Sequence, residues 1–224
     1  MSKRFEEIAK LVDPAKVYPI EEAIKLAKQT STVKFDASVE VHFKLNVDPK
    51  QTDQKVRTQV MLRHGTGKTL RVAAFVTHTR EKEAREAGAE PVGGEELVKR
   101  IKETEKTDFD VAVAEPAMMK SLTMIAKILG QRGLMPNPKT GTVGEAVAKM
   151  IKELKAGKID IKTDDSGNIH QPIGRVSFDD RKLLENFQDL KEAIYKAKPG
   201  SVKRDFVSAI TLSSSMGPGI RVEK

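Results

Sequence analysis

From Ser38 to Asn46 the chain alternates with a period of two: Val39, Val41, Phe43 and Leu45 fall on one side, and Ser38, Glu40, His42 and Lys44 on the other. Successive side chains of a strand point to opposite faces, so the run predicts a sheet with one buried face and one wet face. The wet face is polar and mixed in charge. A turn at Asp48-Pro49 leads to a second strand, about Lys55 to Leu62. The same style returns late in the chain. Ile159 and Ile161 alternate with Asp160 and Lys162, Asp164-Asp165-Ser166-Gly167-Asn168 has hairpin chemistry, and Ile169 to Phe178 reads as the returning strand. Phe206 to Leu212 is a last clear strand, running into Ser213-Ser214-Ser215-Met216-Gly217-Pro218-Gly219 and an Ile220 to Val222 tail. Helices frame these strands. Ser2 can cap one through about Val12, Pro19 opens a second with Ile20, Ala23, Ile24 and Ala27 at helical spacing, and a long third runs from about Asp179 to Ala197.

The middle of the chain has a different texture. Strands at Leu70 to Val76, Pro91-Val92 and Asp110 to Ala114 alternate with helices at Arg80 to Ala87, Gly94 to Glu103, Ser121 to Leu129 and Glu145 to Lys155. Such βαβ-like units imply a small, mostly parallel sheet with helices on both faces. The organisation is therefore nested: a discontinuous outer domain made of both chain ends, and a second domain inserted between about Thr66 and Gly157. Two chain crossings make a natural hinge.

Bulk composition narrows the function. Forty Lys and Arg against thirty-two Asp and Glu leave a net charge of +8, which favours a polyanionic partner through counterion release. The absence of Cys excludes disulfides, thiol nucleophiles and Cys-ligated zinc. His42, His64, His78 and His170 show no metal-ligand spacing, and the pairs Asp164-Asp165 and Asp179-Asp180 sit where Asp caps turns and helices. No run approaches a membrane span and Met1 to Lys10 lacks the apolar core of a secretory signal, which leads us to expect a cytosolic location. Gly65-Thr66-Gly67-Lys68-Thr69 imitates a phosphate loop but lacks the required upstream glycine, since Leu62 holds that place, and it leads into a strand instead of a helix.

The least ordinary stretch is Gly130 to Gly144, GQRGLMPNPKTGTVG, with four glycines and two prolines in fifteen residues. It reads either as a tight connection between helices or as a binding or domain-junction loop carrying Arg132 and Lys139. Three other positions have two readings each. Met216 is a plug in a flexible turn or a residue lying against a sugar or base, with three hydroxyls beside amides freed by Gly217. Phe35, next to Lys34, is a core residue or a ring that stacks on nucleic acid. His170 is a structural histidine or an RNA contact.

The blocks KFDASVEVHFKLNVDPK, VMLRHGTGK, EAGAEPVGGEEL, ILGQRGLMPNPKTGTVG, IHQPIGRVSF and SSSMGPG, in that order, closely resemble the bacterial large-subunit ribosomal protein L-one family from end to end. The resemblance implies an α/β fold: an α+β outer, RNA-binding domain with an antiparallel sheet, residues 1-66 and 158-224, and an inserted Rossmann-like, three-layer α/β domain, residues 67-157. It implies a structural constituent of the large ribosomal subunit and not an enzyme. Such a protein binds the stalk region of large-subunit ribosomal RNA, assists release of deacylated tRNA from the exit site and represses its own mRNA. No cofactor, metal or membrane partner is implied, and the free protein is expected to be a monomer in the cytoplasm. The implied RNA-binding residues are Lys34, Phe35, Glu40, Asp164, His170, Gly174, Ser215, Met216 and Gly217, with Arg132 and Lys139 secondary or at a junction loop. Arg175 stands where many relatives have Lys, in reach of a phosphate contact. The alternative is a nucleotide-binding enzyme built on the inserted domain and using Lys68.

Overall fold

The computed structural model describes residues 3–202 and 205–224, without the side chains of Thr52 and Lys139. Ser2, the expected first cap, lies outside the described residues. The chain forms two compact units, one of Met1–Gly67 with Gly157–Lys224 and one of Lys68–Ala156. The first contributes α1 (Lys3–Ala9), α2 (Ile20–Gln29), β1 (Ser38–Leu45) and β2 (Arg57–Met61). The second holds β3 (Val72–Phe75), α3 (Glu81–Glu86), β4 (Val92–Gly93), α4 (Glu95–Thr104), β5 (Val111–Ala114), α5 (Met119–Leu122), α6 (Ala126–Gln131) and α7 (Val147–Lys155). The chain then returns through β6 (Lys158–Lys162), β7 (Asn168–Arg175), α8 (Asp180–Lys196), β8 (Val207–Ser214) and β9 (Ile220–Val222).

In the discontinuous unit an antiparallel four-stranded sheet has the order β7-β1-β8-β9. Val39, Val41, Phe43 and Leu45 are buried as their alternation predicts. Ala23, Ile24 and Ala27 of α2 and Leu183, Phe187, Leu190 and Ile194 of α8 join them in one core. The Phe43 and Phe187 rings stack with centroids 6.4 Å apart. Asn186, fully buried on α8, serves that core with its amide: Nδ2 donates to the carbonyls of Gly65 and Ile173, each at 2.8 Å, and Oδ1 accepts the His64 N–H at 3.1 Å.

The expected hairpin across Asp164 is not a hairpin ladder. Strand β6 pairs with β2 in a separate two-stranded sheet, Arg57 opposite Lys162, while β7 pairs with β1. Alternation identifies a strand but carries no information on its partner.

The second unit is a parallel sheet of order β4-β3-β5. All four residues of β3 are buried because helices cover both faces. Leu97, Val98, Ile101, Met118, Leu122 and Leu129 pack with Ala73, Phe75, Ala112 and Ala114 on one side. Ala84, Val147, Ile151 and Leu154 pack with Val72, Ala74 and Val113 on the other. The helix expected at Ser121 to Leu129 begins earlier, at Pro116, and alternates short 3-10 and α turns up to Gln131. Within it the Thr123 hydroxyl bonds back to the Lys120 carbonyl at 2.5 Å, a side-chain competitor for the regular ladder.

Candidate nucleic-acid interface

The open face of the discontinuous unit's sheet is a grid set by strand register. Across β1, Glu40 lies between Pro172 and Ser213, His42 between His170 and Thr211, and Lys44 between Asn168 and Ala209. Arg221 of β9 continues the His42 rung beyond Thr211. Along that rung the side chains bond to one another. His42 Nδ1 lies 2.8 Å from His170 Nδ1, His42 Nε2 lies 3.0 Å from Ser213 Oγ, and His170 Nε2 lies 3.4 Å from Asp164 Oδ2. Burial holds the His42 pKa below its ordinary value, with the neighbouring His170 acting in the same direction and Glu40 opposing both. Asp164 accepts the backbone N–H groups of Asn168 at 2.7 Å and Ser166 at 2.8 Å, and the Asn168 amide lowers its pKa to about 2. Its oxygens are thus occupied by its own turn and by His170. Lys44 Nζ closes the same turn on the Ser166 carbonyl at 2.7 Å.

At the Ser38 end of the face two loops project. Phe35 is 58% exposed and Met216 is 68% exposed, so the readings that placed Phe35 in a core and Met216 as a plug give way to surface positions. Met216 has φ 65, a left-handed conformation uncommon for a residue with a side chain of this size. Its neighbours hold it there. The Ser215 N–H donates to the Ser38 carbonyl at 2.9 Å and the Gly217 N–H to the Ser214 carbonyl at 2.8 Å. A Cβ on Gly217 would collide with Ser214 Oγ, so only glycine fits. The expectation of free amides beside Gly217 is therefore corrected: the loop's own turn uses that donor. Ser214 is buried and its hydroxyl has no partner.

The Phe35 loop is fastened through Asp36. Arg175 donates to the Asp36 carbonyl at 3.2 Å and to the Gly67 carbonyl at 3.0 Å, and Ser177 donates to the Asp36 carboxylate through both N–H and Oγ. Arg175 is consequently an anchor of this loop, which corrects its reading as a phosphate contact. Lys34 stands exposed beside Phe35. Arg4 of α1 reaches the Thr32 hydroxyl at 3.5 Å and the Met216 carbonyl at 3.4 Å, touching both loops. Gly174 does not share their surface. It is buried, and a Cβ there would stand 2.7 Å from Leu183 Cδ2, so its glycine serves close packing on α8. Sequence reasoning missed His42 and Arg4 and took Ser213 only as one of three hydroxyls beside Met216. Only the period-two placement of His42 on the wet face pointed toward either of the first two.

The rim of the inserted unit is different in kind. Lys68 Nζ is paired with Asp110 Oδ1 at 2.7 Å, and that contact leads the causes that lower the Asp110 pKa. At the carboxyl ends of β3 and β5, where open α/β sheets bind nucleotides, the Thr77 N–H and hydroxyl donate to Glu115 at 3.0 and 2.9 Å. The Thr77 backbone bond lowers the Glu115 pKa and keeps a negative charge where a phosphate would sit. A cleft of ≈ 780 Å³ lined by Arg71, Glu90, Leu97, Arg100 and Lys155 lies at the opposite, amino ends of the strands. The Gly130 to Gly144 stretch is fastened to the sheet edge: Val143 bridges Ala114, and Thr140 and Thr142 bond to Asn137. Arg132 donates to Thr107 Oγ at 2.5 Å and to the Glu105 carbonyl at 3.3 Å, tying the loop after α4. The Lys139 side chain lies outside the described residues. Among the described residues no group of His, Asp and Glu is placed to hold a metal ion, and no helix is long and apolar enough to cross a membrane.

The discontinuous unit carries an open polar sheet face flanked by exposed loops, and the inserted unit holds the Glu115 carboxylate, bonded to Thr77, at the carboxyl ends of its strands. The sequence model of the ribosomal protein L1p/L10e family matches residues 26–218. The chain is 53% identical over 223 residues to the large ribosomal subunit protein uL1 of Mycoplasma capricolum subsp. capricolum, covering 100% of this chain and 98% of that one. It is 52% identical over 223 residues to the protein of the same name from Mesoplasma florum, at 100% and 98% coverage. With that from Thermosipho africanus it shares 48% over 222 residues, at 99% and 96% coverage. The chain belongs to the ribosomal protein L1p/L10e family, whose members are structural components and not enzymes.

Proposed function

We propose that this chain is a constituent of the large ribosomal subunit in the cytoplasm and that it grips the stalk region of large-subunit ribosomal RNA. Residues 1-66 and 158-224 act as the RNA-binding domain, and residues 67-157 as an inserted domain carried on it. The observation that supports this most is the exposure of Phe35 and Met216 at the Ser38 end of an open polar sheet face. Lys34 supplies charge for a phosphate, Phe35 a ring on which a base stacks, and Met216 an apolar surface for a sugar or base. Ser215 offers a hydroxyl, and Glu40 accepts bonds from base amino groups or ribose hydroxyls. Asp164, His170 and Gly217 act by holding this surface in shape. The same surface binds the protein's own mRNA and so represses its translation. In the subunit the inserted domain moves with the stalk during release of deacylated tRNA from the exit site.

A gel shift of the full chain on a stalk fragment of large-subunit ribosomal RNA tests the reading. Affinity is expected to fall about 100-fold between roughly 50 and 200 mM salt. Equal affinity for an unrelated RNA of the same length overturns specific stalk recognition.

A further inference from the structure

The hydrogen-bond chain on the open face has a restricted proton capacity. His170 Nε2 faces the Asp164 carboxylate, so it carries a proton and donates. With both rings neutral, His170 Nδ1 is then an acceptor, His42 Nδ1–H donates to it across 2.8 Å, and His42 Nε2 accepts the Ser213 hydroxyl. One added proton is also accommodated. It sits on His170 Nδ1, which now donates to His42 Nδ1, and the His42 proton moves to Nε2 and points at Ser213 Oγ. A second added proton would set N–H against N–H at 2.8 Å, so the pair holds one extra proton and no more.

The groups that face the pair come from strands β1, β8 and β9 and from the turn before β7. Glu40 and Lys44 lie on β1 at the adjacent rungs, Asp164 lies in the turn before β7, and Arg221 lies on β9; β8 contributes only the neutral Thr211 and Ser213. Helices α2 and α8 pack with the core residues of the opposite face. His42 is already held below its ordinary pKa by burial and by its neighbour, which leaves the pair poised to take up a proton when negative charge arrives.

Resting on the RNA-binding reading above, we infer that the open face itself docks RNA phosphates and that its His42–His170 pair takes up one proton when the backbone settles there. Two features select RNA backbone as the occupant. Arg221 supplies an exposed cation on the edge strand β9 and Lys44 one on β1 that also holds the Ser166 carbonyl, and the face is continuous through Ser38 and Ser215 with the loops of Phe35 and Met216. The interface therefore extends past the loops along the sheet, and affinity is linked to pH. The sign is fixed by the linkage: affinity is highest and flat below the pKa of the free pair. It falls as pH rises to the pKa in the complex and is flat again above it, by at most about tenfold per pH unit.

The test is the dissociation constant of the full chain for the stalk RNA fragment between pH 5.5 and 8.5 at fixed salt. Calorimetry in two buffers of different ionisation enthalpy counts the protons taken up. We expect affinity to weaken about tenfold across this range, with up to one proton bound per complex, and His42→Gln and His170→Gln each to flatten the profile. His78→Gln, in the inserted unit, keeps it. Tight binding that is independent of pH, or a pH profile unchanged in both pair variants, overturns this inference and leaves the RNA reading standing. No binding at any pH overturns both. Proton uptake that follows protein concentration and not RNA assigns the face to a second copy of the chain and also overturns the inference.

Discussion

The two larger sheets of this protein use the same kinds of residue for opposite purposes. The parallel sheet of Val72–Phe75, Val92–Gly93 and Val111–Ala114 is covered on both faces, so its polar groups are confined to the rim. There they are matched internally: Lys68 with Asp110, Thr77 with Glu115, and Arg132 with the loop at Glu105 and Thr107. The antiparallel sheet is covered on one face only, and its other face presents Glu40, His42, Lys44, His170 and Arg221 in register. A buried polar group must find a partner within the fold, whereas a polar group on an open face can bond to a neighbour, as His42, His170 and Lys44 do, and still be reached from solvent. Glycine-rich composition does not by itself mark an outward loop: Gly130 to Gly144 is knitted to its own sheet edge, while the shorter Ser213 to Gly219 loop holds Met216 outward.

The comparison can be broken at several points. The largest expected effect is structural. Asn186→Ala removes three hydrogen bonds, one buried and two part-buried, and takes the amide partner from the His64 N–H and from the Gly65 and Ile173 carbonyls; a loss of about 3 kcal/mol is expected in chemical denaturation. A loss below about 1 kcal/mol would show that water replaces the amide and that this site is not sealed. Next is Met216→Asp, which sets a carboxylate against RNA phosphates and is expected to weaken stalk-RNA binding about 100-fold in a gel shift, with the melting temperature unchanged. Phe35→Ala should cost about tenfold by loss of one stacked base. The double variant Arg132→Ala with Lys139→Ala is expected to change RNA affinity by less than about threefold, since Arg132 bonds within its own unit. If it costs as much as Met216→Asp, the contrast between the two sheets fails and the inserted unit's loop is a principal contact.

Much of the fold was readable in the sequence because it rests on local pattern. The alternation from Ser38 placed Val39, Val41, Phe43 and Leu45 inside and His42 outside without knowledge of any partner strand. The helical spacing of Leu183, Phe187, Leu190 and Ile194 placed the buried face of α8 in the same way. The apolar strands at Val72 and Val111 and the helices between them were likewise recognisable, although the 3-10 turns around Thr123, where the hydroxyl bonds to the Lys120 carbonyl, were not. The site was readable in part. Phe35 and Met216 stood out as residues out of place, but their composition left core and surface readings open. Gly174 carried the family pattern for a packing reason that only the neighbouring helix reveals.

The sequence by itself determined which residues belong to which face, because a period of two or 3.6 is a property of the local backbone. Tertiary structure alone decided which faces meet. His42 and His170 are separated by 128 positions, and their contact depends on β7 choosing β1 while β6 chooses β2. Pairing of that range is set by the summed packing of the core and the register of whole strands, and neither is encoded in any short window of the chain.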